Sequence, residues 1–229
     1  MFNIDDSEFD RLNEELRRDG FSFLTSRCSI QECDAVKEFM DAYPDERSEI
    51  NFSGTEKRIW DAQSYNDAIR NFSEQADQLL SAMLKRKAIS YTTLAIRNFP
   101  VSKGSSTDNL GRWHLDSFRN QFKVFAFLTG TTESSGPLEL IPGSHTVGFK
   151  IVPILTGKYF SFRDICHSKR RYSSLDEDWL DRVIQERGGS RPILCEPGSV
   201  LVTNTSAIHR ARPCLEGNRY ALTGYYNHI

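Results

Sequence analysis

Hydrophobic positions recur along this chain at two different periods, and the change falls near Ala88. Before it, Phe9, Leu12 and Leu16 stand at i, i+3 and i+7 behind an acidic start, which predicts a short amphipathic helix over residues 7–18 ended at Gly20. Phe21-Ser22-Phe23-Leu24 reads as a strand. Ser29 and Glu32 have the spacing of a capping box, and the helix they open would place Cys33, Val36, Met40 and Tyr43 on one side before Pro44 stops it. Ile69, Phe72, Ala76, Leu79 and Met83 predict a third helix, with Lys85-Arg86-Lys87 at the end where cations are favoured. Residues 45–63 are polar and irregular apart from Ile59 and Trp60, and are expected to form a loop.

After Ala88 the pattern becomes that of strands, over residues 89–99, 111–116, 121–129, 138–141, 193–196, 200–203, 207–211 and 219–226. Eight short strands imply a sandwich or barrel. In the third of them Phe122, Val124, Ala126 and Leu128 alternate with Phe125 and Phe127, so both faces should be covered. Residues 146–191 interrupt the strands with Tyr159, Phe160 and Phe162, a basic Lys169-Arg170-Arg171, and a helix starting near Ser174-Leu175-Asp176-Glu177. An insertion of that length in a compact domain reads as a lid over a binding site. The expected organisation is one domain over 1–229, with 1–88 a mainly helical support and 89–229 a β core carrying the insertion 146–191.

Composition narrows the function. A formal net charge of −2 gives no positive field for nucleic acid or an anionic membrane surface. Five cysteines, an odd number without metal-ligand spacing, suit reduced thiols. An acidic N-terminus and no apolar run of membrane length lead to the expectation of a cytoplasmic protein; separately from these features, a monomer or homodimer acting on a small molecule is expected.

The chemistry centres on Trp113-His114-Leu115-Asp116-Ser117. In an extended segment, side chains at i and i+2 share a face, so His114 and Asp116 can reach one ion. A second imidazole from another strand would complete the two-histidine, one-carboxylate facial triad of non-haem Fe(II). The His-x-Asp spacing alone is weak, since it would arise by chance about 0.35 times in this composition. Candidates for the third ligand are His145, in a turn; His167, in the insertion; His209, within a predicted strand; and His228, at the C-terminus. A hairpin from His209 to Arg219 would place a guanidinium, the side chain that binds carboxylates bidentately, one strand from the metal.

Taken with Gly136-Pro137-Leu138-Glu139-Leu140-Ile141-Pro142-Gly143-Ser144-His145, this order of parts resembles the phytanoyl-CoA dioxygenase family of iron- and 2-oxoglutarate-dependent oxygenases. The resemblance implies a double-stranded β-helix, or cupin-like jelly roll, with helices supporting one sheet. It places His114, Asp116 and His209 on the iron as ligands and catalytic centre, and Arg219 on the far carboxylate of 2-oxoglutarate. Asn98 matches a position that hydrogen-bonds the cosubstrate in some relatives, and Lys123 lies on the strand that commonly floors that site. Ala211 departs from relatives with a hydroxyl residue there, and Thr223 or Tyr225 could assist Arg219 instead. The implied reaction uses Fe(II), 2-oxoglutarate and O2, releases succinate and CO2 and hydroxylates an unactivated carbon. Alternatives are the same iron chemistry with a desaturation, epimerisation or cyclisation outcome, or a cupin-like protein that binds metal without turnover. Trp60, Arg97, Phe118, Tyr159, Phe160, Phe162 and Tyr225 are candidates for the substrate pocket.

Overall fold

A computed structural model describes residues 2–101, 111–156 and 175–226. The expected helices are present as α1 (Asp6–Asp19), α2 (Ile30–Ala42) and α3 (Asp67–Leu84). Each start is capped by a side chain that accepts a hydrogen bond from a first-turn amide: Asp5 from Glu8, Ser29 from Glu32, and Asn66 from Ile69. At α2 the capping box is complete, the Glu32 side chain accepting in return from the Ser29 amide. Gly20 ends α1 with φ of 88°, and a side chain there would meet the His145 ring at 2.6 Å, so both backbone conformation and space demand glycine.

The described residues form ten strands, in chain order β1 Phe21–Leu24, β2 Glu49–Asn51, β3 Glu56–Ile59, β4 Thr92–Asn98, β5 Phe122–Phe127, β6 Leu138–Leu140, β7 Arg191–Pro192, β8 Ser199–Asn204, β9 His209–Ala211 and β10 Arg219–Tyr226. Seven make an antiparallel sheet in the order β1-β8-β5-β10-β4-β3-β2, and three make a smaller one, β7-β6-β9. The chain crosses between the sheets from β5 to β6 and again from β8 to β9 to β10, as in a jelly roll. Phe21, Phe127, Leu201 and Ala221 of the large sheet meet Leu138 and Leu140 of the small one in a shared apolar cluster. On the other face of the large sheet, Val124, Ala126, Val200, Val202 and Leu222 pack against the buried sides of α1, α2 and α3. Strand β5 is therefore covered on both faces, with Lys123, Phe125 and Phe127 turned between the sheets.

Four expectations need correction. Residues 45–63 are not a loop, because β2 and β3 form a hairpin that extends the large sheet through β4. Its polar texture arises because Glu56 and Lys57 are both buried, on opposite faces. Residues 111–116 form no strand: His114 is joined to His209 by an isolated bridge with paired backbone hydrogen bonds of 2.9 and 2.8 Å. Residues 193–196 contribute one bridge, at Cys195, between Pro192 and Pro197, which cannot donate to a ladder. Strands β9 and β10 are not a hairpin, for the chain switches sheets through Arg212 and Pro213, and Arg219 approaches His209 from the opposite sheet.

Within 146–191, the described ends are helices, α4 (Val147–Thr156) and α5 (Glu177–Glu186), the latter capped by Asp176. Ile154 of α4 and Trp179, Leu180 and Val183 of α5 join Leu115, Phe118, Ile141 and Ile208 in a second apolar cluster. The readings placed on Tyr159, Phe160, Phe162, His167, Lys169–Arg171 and His228 lie outside the described residues.

Candidate metal and cosubstrate site

Leu115 and Ile208 are fully buried in that second cluster, each next in sequence to a polar residue that faces the space between the sheets. This anchoring fixes the segment carrying His114 and Asp116 beside the start of β9, where His209 stands. The Nε2 of His114 is 3.7 Å from Asp116 Oδ1, and the Nε2 of His209 is 3.8 Å from Asp116 Oδ2. The two imidazole rings lie 4.3 Å apart between centroids. One donor atom from each of the three residues falls within 4.8 Å of the others, close enough to share one ion.

The backbone settles which nitrogen each ring offers. His114 Nδ1 is 2.9 Å from the Arg112 carbonyl and His209 Nδ1 is 2.9 Å from the Ala207 carbonyl. A carbonyl can only accept, so both rings donate from Nδ1 and turn the Nε2 lone pair inward. Burial, reinforced by His114, pushes the pKa of His209 down to about 3, which keeps its ring neutral as a metal ligand requires. Burial works against an ionised Asp116, but Lys123, His209 and His114 outweigh it and hold the carboxyl well below its usual range. Two imidazoles that turn Nε2 inward and a carboxylate on one side of a space form the donor set that Fe(II) takes with positions left open.

The cavity around these donors has a volume of about 260 Å³. Its walls include His114 and His209, the aromatic Phe125 and Tyr225, and Arg219. Arg219 donates from Nε and Nη2 to Asn98 Oδ1 at 3.2 and 2.7 Å, and among the described residues it makes no ion pair. Burial lowers its pKa, yet a guanidinium stays charged at neutral pH. A desolvated cation with no ion pair among the described residues, on the wall of a cavity that His114 and His209 also line, suits the free end of a dicarboxylate.

The other candidates divide between the cavity and the rest of the fold. Asn98 lines the cavity and supports Arg219 through Oδ1, while one N–H of its amide nitrogen donates to Glu56 at 3.0 Å. Lys123 reaches Asp116 Oδ2 at 2.6 Å rather than standing beside Arg219. Thr223 is buried, and among the described residues its hydroxyl has no hydrogen-bond partner. His145 packs against Gly20, away from the triad, and Arg212 is bound to Glu139 and Glu133. Tyr225 lines the cavity, with Trp60 6.0 Å away across ring centroids. Arg97 instead pairs with Asp41, and Phe118 belongs to the second apolar cluster. Sequence reasoning missed Glu56 and Arg58, which β3 turns into the cavity. The available signal was the Ser53-Gly54 turn between two short segments.

A family model described as phytanoyl-CoA dioxygenase (PhyH) matches residues 16–216. No curated protein matches the chain in sequence. Among solved structures, the fold is similar to the epimerase SnoN in complex with Fe3+, alpha-ketoglutarate and nogalamycin RO, with a TM-score of 0.72 and 15% identity over 97% of this chain and 84% of that one. It is similar also to the carbocyclase SnoK from nogalamycin biosynthesis, with a TM-score of 0.68 and 14% identity over 98% and 84%. EctD from S. alaskensis with 2-oxoglutarate and 5-hydroxyectoine gives 0.67 and 18% over 96% and 76%. Among the described residues no helix is long and apolar enough to cross a membrane.

Proposed function

Since the chain belongs to the phytanoyl-CoA dioxygenase family of iron- and 2-oxoglutarate-dependent dioxygenases, we propose that it hydroxylates a small molecule within a single domain, with Fe(II) on His114, Asp116 and His209 and 2-oxoglutarate anchored by Arg219. The observation that carries this reading is that His114 and His209, two members of the three-donor cluster, line one cavity with Arg219, which makes no ion pair among the described residues and reaches it from the sheet opposite to that of His209. When bound, Fe(II) and 2-oxoglutarate supply the oxidant, 2-oxoglutarate and O2 being converted to succinate, CO2 and one oxygen atom for the substrate.

The protein's own part is positional. Backbone carbonyls at Arg112 and Ala207 fix the ring tautomers, and Lys123 holds one Asp116 oxygen. Phe125, Phe127 and Tyr225 line the cavity and limit the water that can enter beside the reacting centre. Asp116 keeps a carboxylate in the donor set, which favours hydroxyl return over halide transfer. Epimerisation and ring formation remain the second reading, because SnoN and SnoK share this fold.

Anaerobic titration of the purified protein with Fe(II) and 2-oxoglutarate should produce a weak visible charge-transfer band. His114→Ala, Asp116→Ala and His209→Ala should each abolish it, because removal of one donor leaves too few for a chelate. Arg219→Ala should keep iron and lose 2-oxoglutarate affinity by about 2–5 kcal/mol. A band that survives in all three triad variants rules out the ligand assignment. Succinate release against a metabolite panel identifies the substrate, and product mass separates gain of one oxygen, loss of two hydrogens and no change.

A further inference from the structure

We propose that Glu56, on the β2–β3 hairpin, is a positioning residue for the cosubstrate: through Asn98 it fixes the guanidinium of Arg219 and so sets the preference for a 2-oxo acid with a second carboxylate. The inference rests on the reading of Arg219 given above and extends it to a hairpin that carries none of the metal donors.

Strand register brings the parts together. Glu56 pairs with Asn98 across β3 and β4, and Asn98 pairs with Arg219 across β4 and β10, so the three side chains stand in one row across the large sheet. All three line the cavity, and Arg58, one turn of the pleat further along β3, lines it as well. Arg58 Nε lies 2.6 Å from Glu56 Oε1, while Asn98 Nδ2 donates to Glu56 Oε2 at 3.0 Å. Asn98 Oδ1 then accepts two hydrogen bonds from Arg219.

The direction of this chain is forced by its ends. A carboxylate can only accept and a guanidinium can only donate, so one orientation of the Asn98 amide satisfies both neighbours. Reversed, its nitrogen would face the Arg219 donors and its oxygen the Glu56 carboxylate, two repulsive contacts in a buried place. Glu56 thereby decides which atom Asn98 shows to Arg219. With Nε and Nη2 held by Asn98, the rest of the guanidinium is left for a ligand carboxylate. Glu56 is 7% exposed and Asn98 is 7% exposed, so water is a poor substitute for either partner.

The test compares two 2-oxo acids on anaerobic Fe(II)-loaded protein, read from the visible band: 2-oxoglutarate, and 2-oxobutyrate, which lacks the far carboxylate. In Glu56→Gln the affinity for 2-oxoglutarate should fall by about tenfold or more, the loss expected for a disturbed charge-assisted hydrogen bond. Affinity for iron and for 2-oxobutyrate should stay within about twofold. Asn98→Ala should show the same selective loss, and adding Glu56→Gln to it should cost nothing further, since the link has already been cut. Equal losses for both oxo acids would reveal a merely structural role. Unchanged or tighter 2-oxoglutarate binding would mean that Glu56 competes with the ligand for Arg219. Either result overturns the proposal. Should Glu56→Gln fail to fold, Asn98→Ala is judged by the same criteria. If Arg219→Ala binds 2-oxoglutarate normally, the cosubstrate reading fails and the relay fails with it; if only Glu56→Gln and Asn98→Ala do, the relay alone fails.

Discussion

Lys123 places its ammonium 2.6 Å from Asp116 Oδ2 and 4.5 Å from the centre of the Tyr225 ring. A cation at that carboxylate helps keep it ionised, but it also repels and competes with any metal that needs the same oxygens. Lys123→Met should therefore bind Fe(II) more tightly, by on the order of 1–2 kcal/mol, in a competition titration against a chelator. Weaker 2-oxoglutarate binding with unchanged iron affinity would return Lys123 to the cosubstrate role that its strand suggested. His114 and Asp116 were legible because a two-residue spacing brings side chains together in any extended segment, whether or not it becomes a ladder. The part taken by Lys123 was not, since knowing that its strand is covered on both faces does not say which buried anion its ammonium meets. Asn98 was legible as a residue at the site, but its amide nitrogen is held by Glu56, whose approach depends on pairing 42 residues away in sequence, and its amide oxygen by Arg219.

Hydrophobic periodicity located α1, α2 and α3, whose apolar stripes are long and capped, and it located β4, β5, β8 and β10, which are packed on both sides. It failed for β2 and β3, where Glu56 and Arg58 face a polar cavity and Lys57 is buried by pairing with Asp45, so alternation carries no apolar signal. It failed also for α4, whose exposed Val147, Ile151 and Leu155 hide the stripe that Ile154 and Phe149 turn to the second cluster. That helix buries Lys150, which donates to the Phe118 carbonyl at 2.7 Å and whose pKa burial pushes down to about 7. Because the folded value lies below the unfolded one, the cost of holding the cation is complete below pH ~7 and is relieved as pH rises toward ~10.4. Lys150→Met should stabilise the protein at pH 6 by on the order of a few kcal/mol, with the difference from wild type shrinking up to pH 10. Taking the difference cancels Cys28 and Tyr220, whose pKa values burial pushes up to about 12. Chemical denaturation at several pH values measures it, and a gap that does not change with pH would show that Lys150 is protonated alike in both states.

The whole molecule is two sheets of unequal size joined by an apolar cluster at one level and by the cavity at another. The metal donors belong to β9 and to the segment bridged to it, on the small-sheet side, whereas Arg219 belongs to β10 in the large sheet. A metal alone therefore ties together elements that are already hydrogen-bonded, and 2-oxoglutarate spanning from metal to Arg219 ties one sheet to the other. A ligand that binds the folded state alone stabilises by about 2.7 kcal/mol at a hundred times its dissociation constant. For a chain of this size that corresponds to a rise in Tm of about 5–10 °C. Nickel(II), which takes the same nitrogen and oxygen donors, allows the measurement in air. We expect a rise with nickel(II), a further rise when 2-oxoglutarate is added, and none from 2-oxoglutarate without metal. In Arg219→Ala the rise with metal should persist while the second increment disappears; in His209→Ala both should vanish. If 2-oxoglutarate raises the Tm of Arg219→Ala as much as that of the wild type, the cosubstrate does not span the two sheets, and the cavity is filled by a ligand held from the metal side alone.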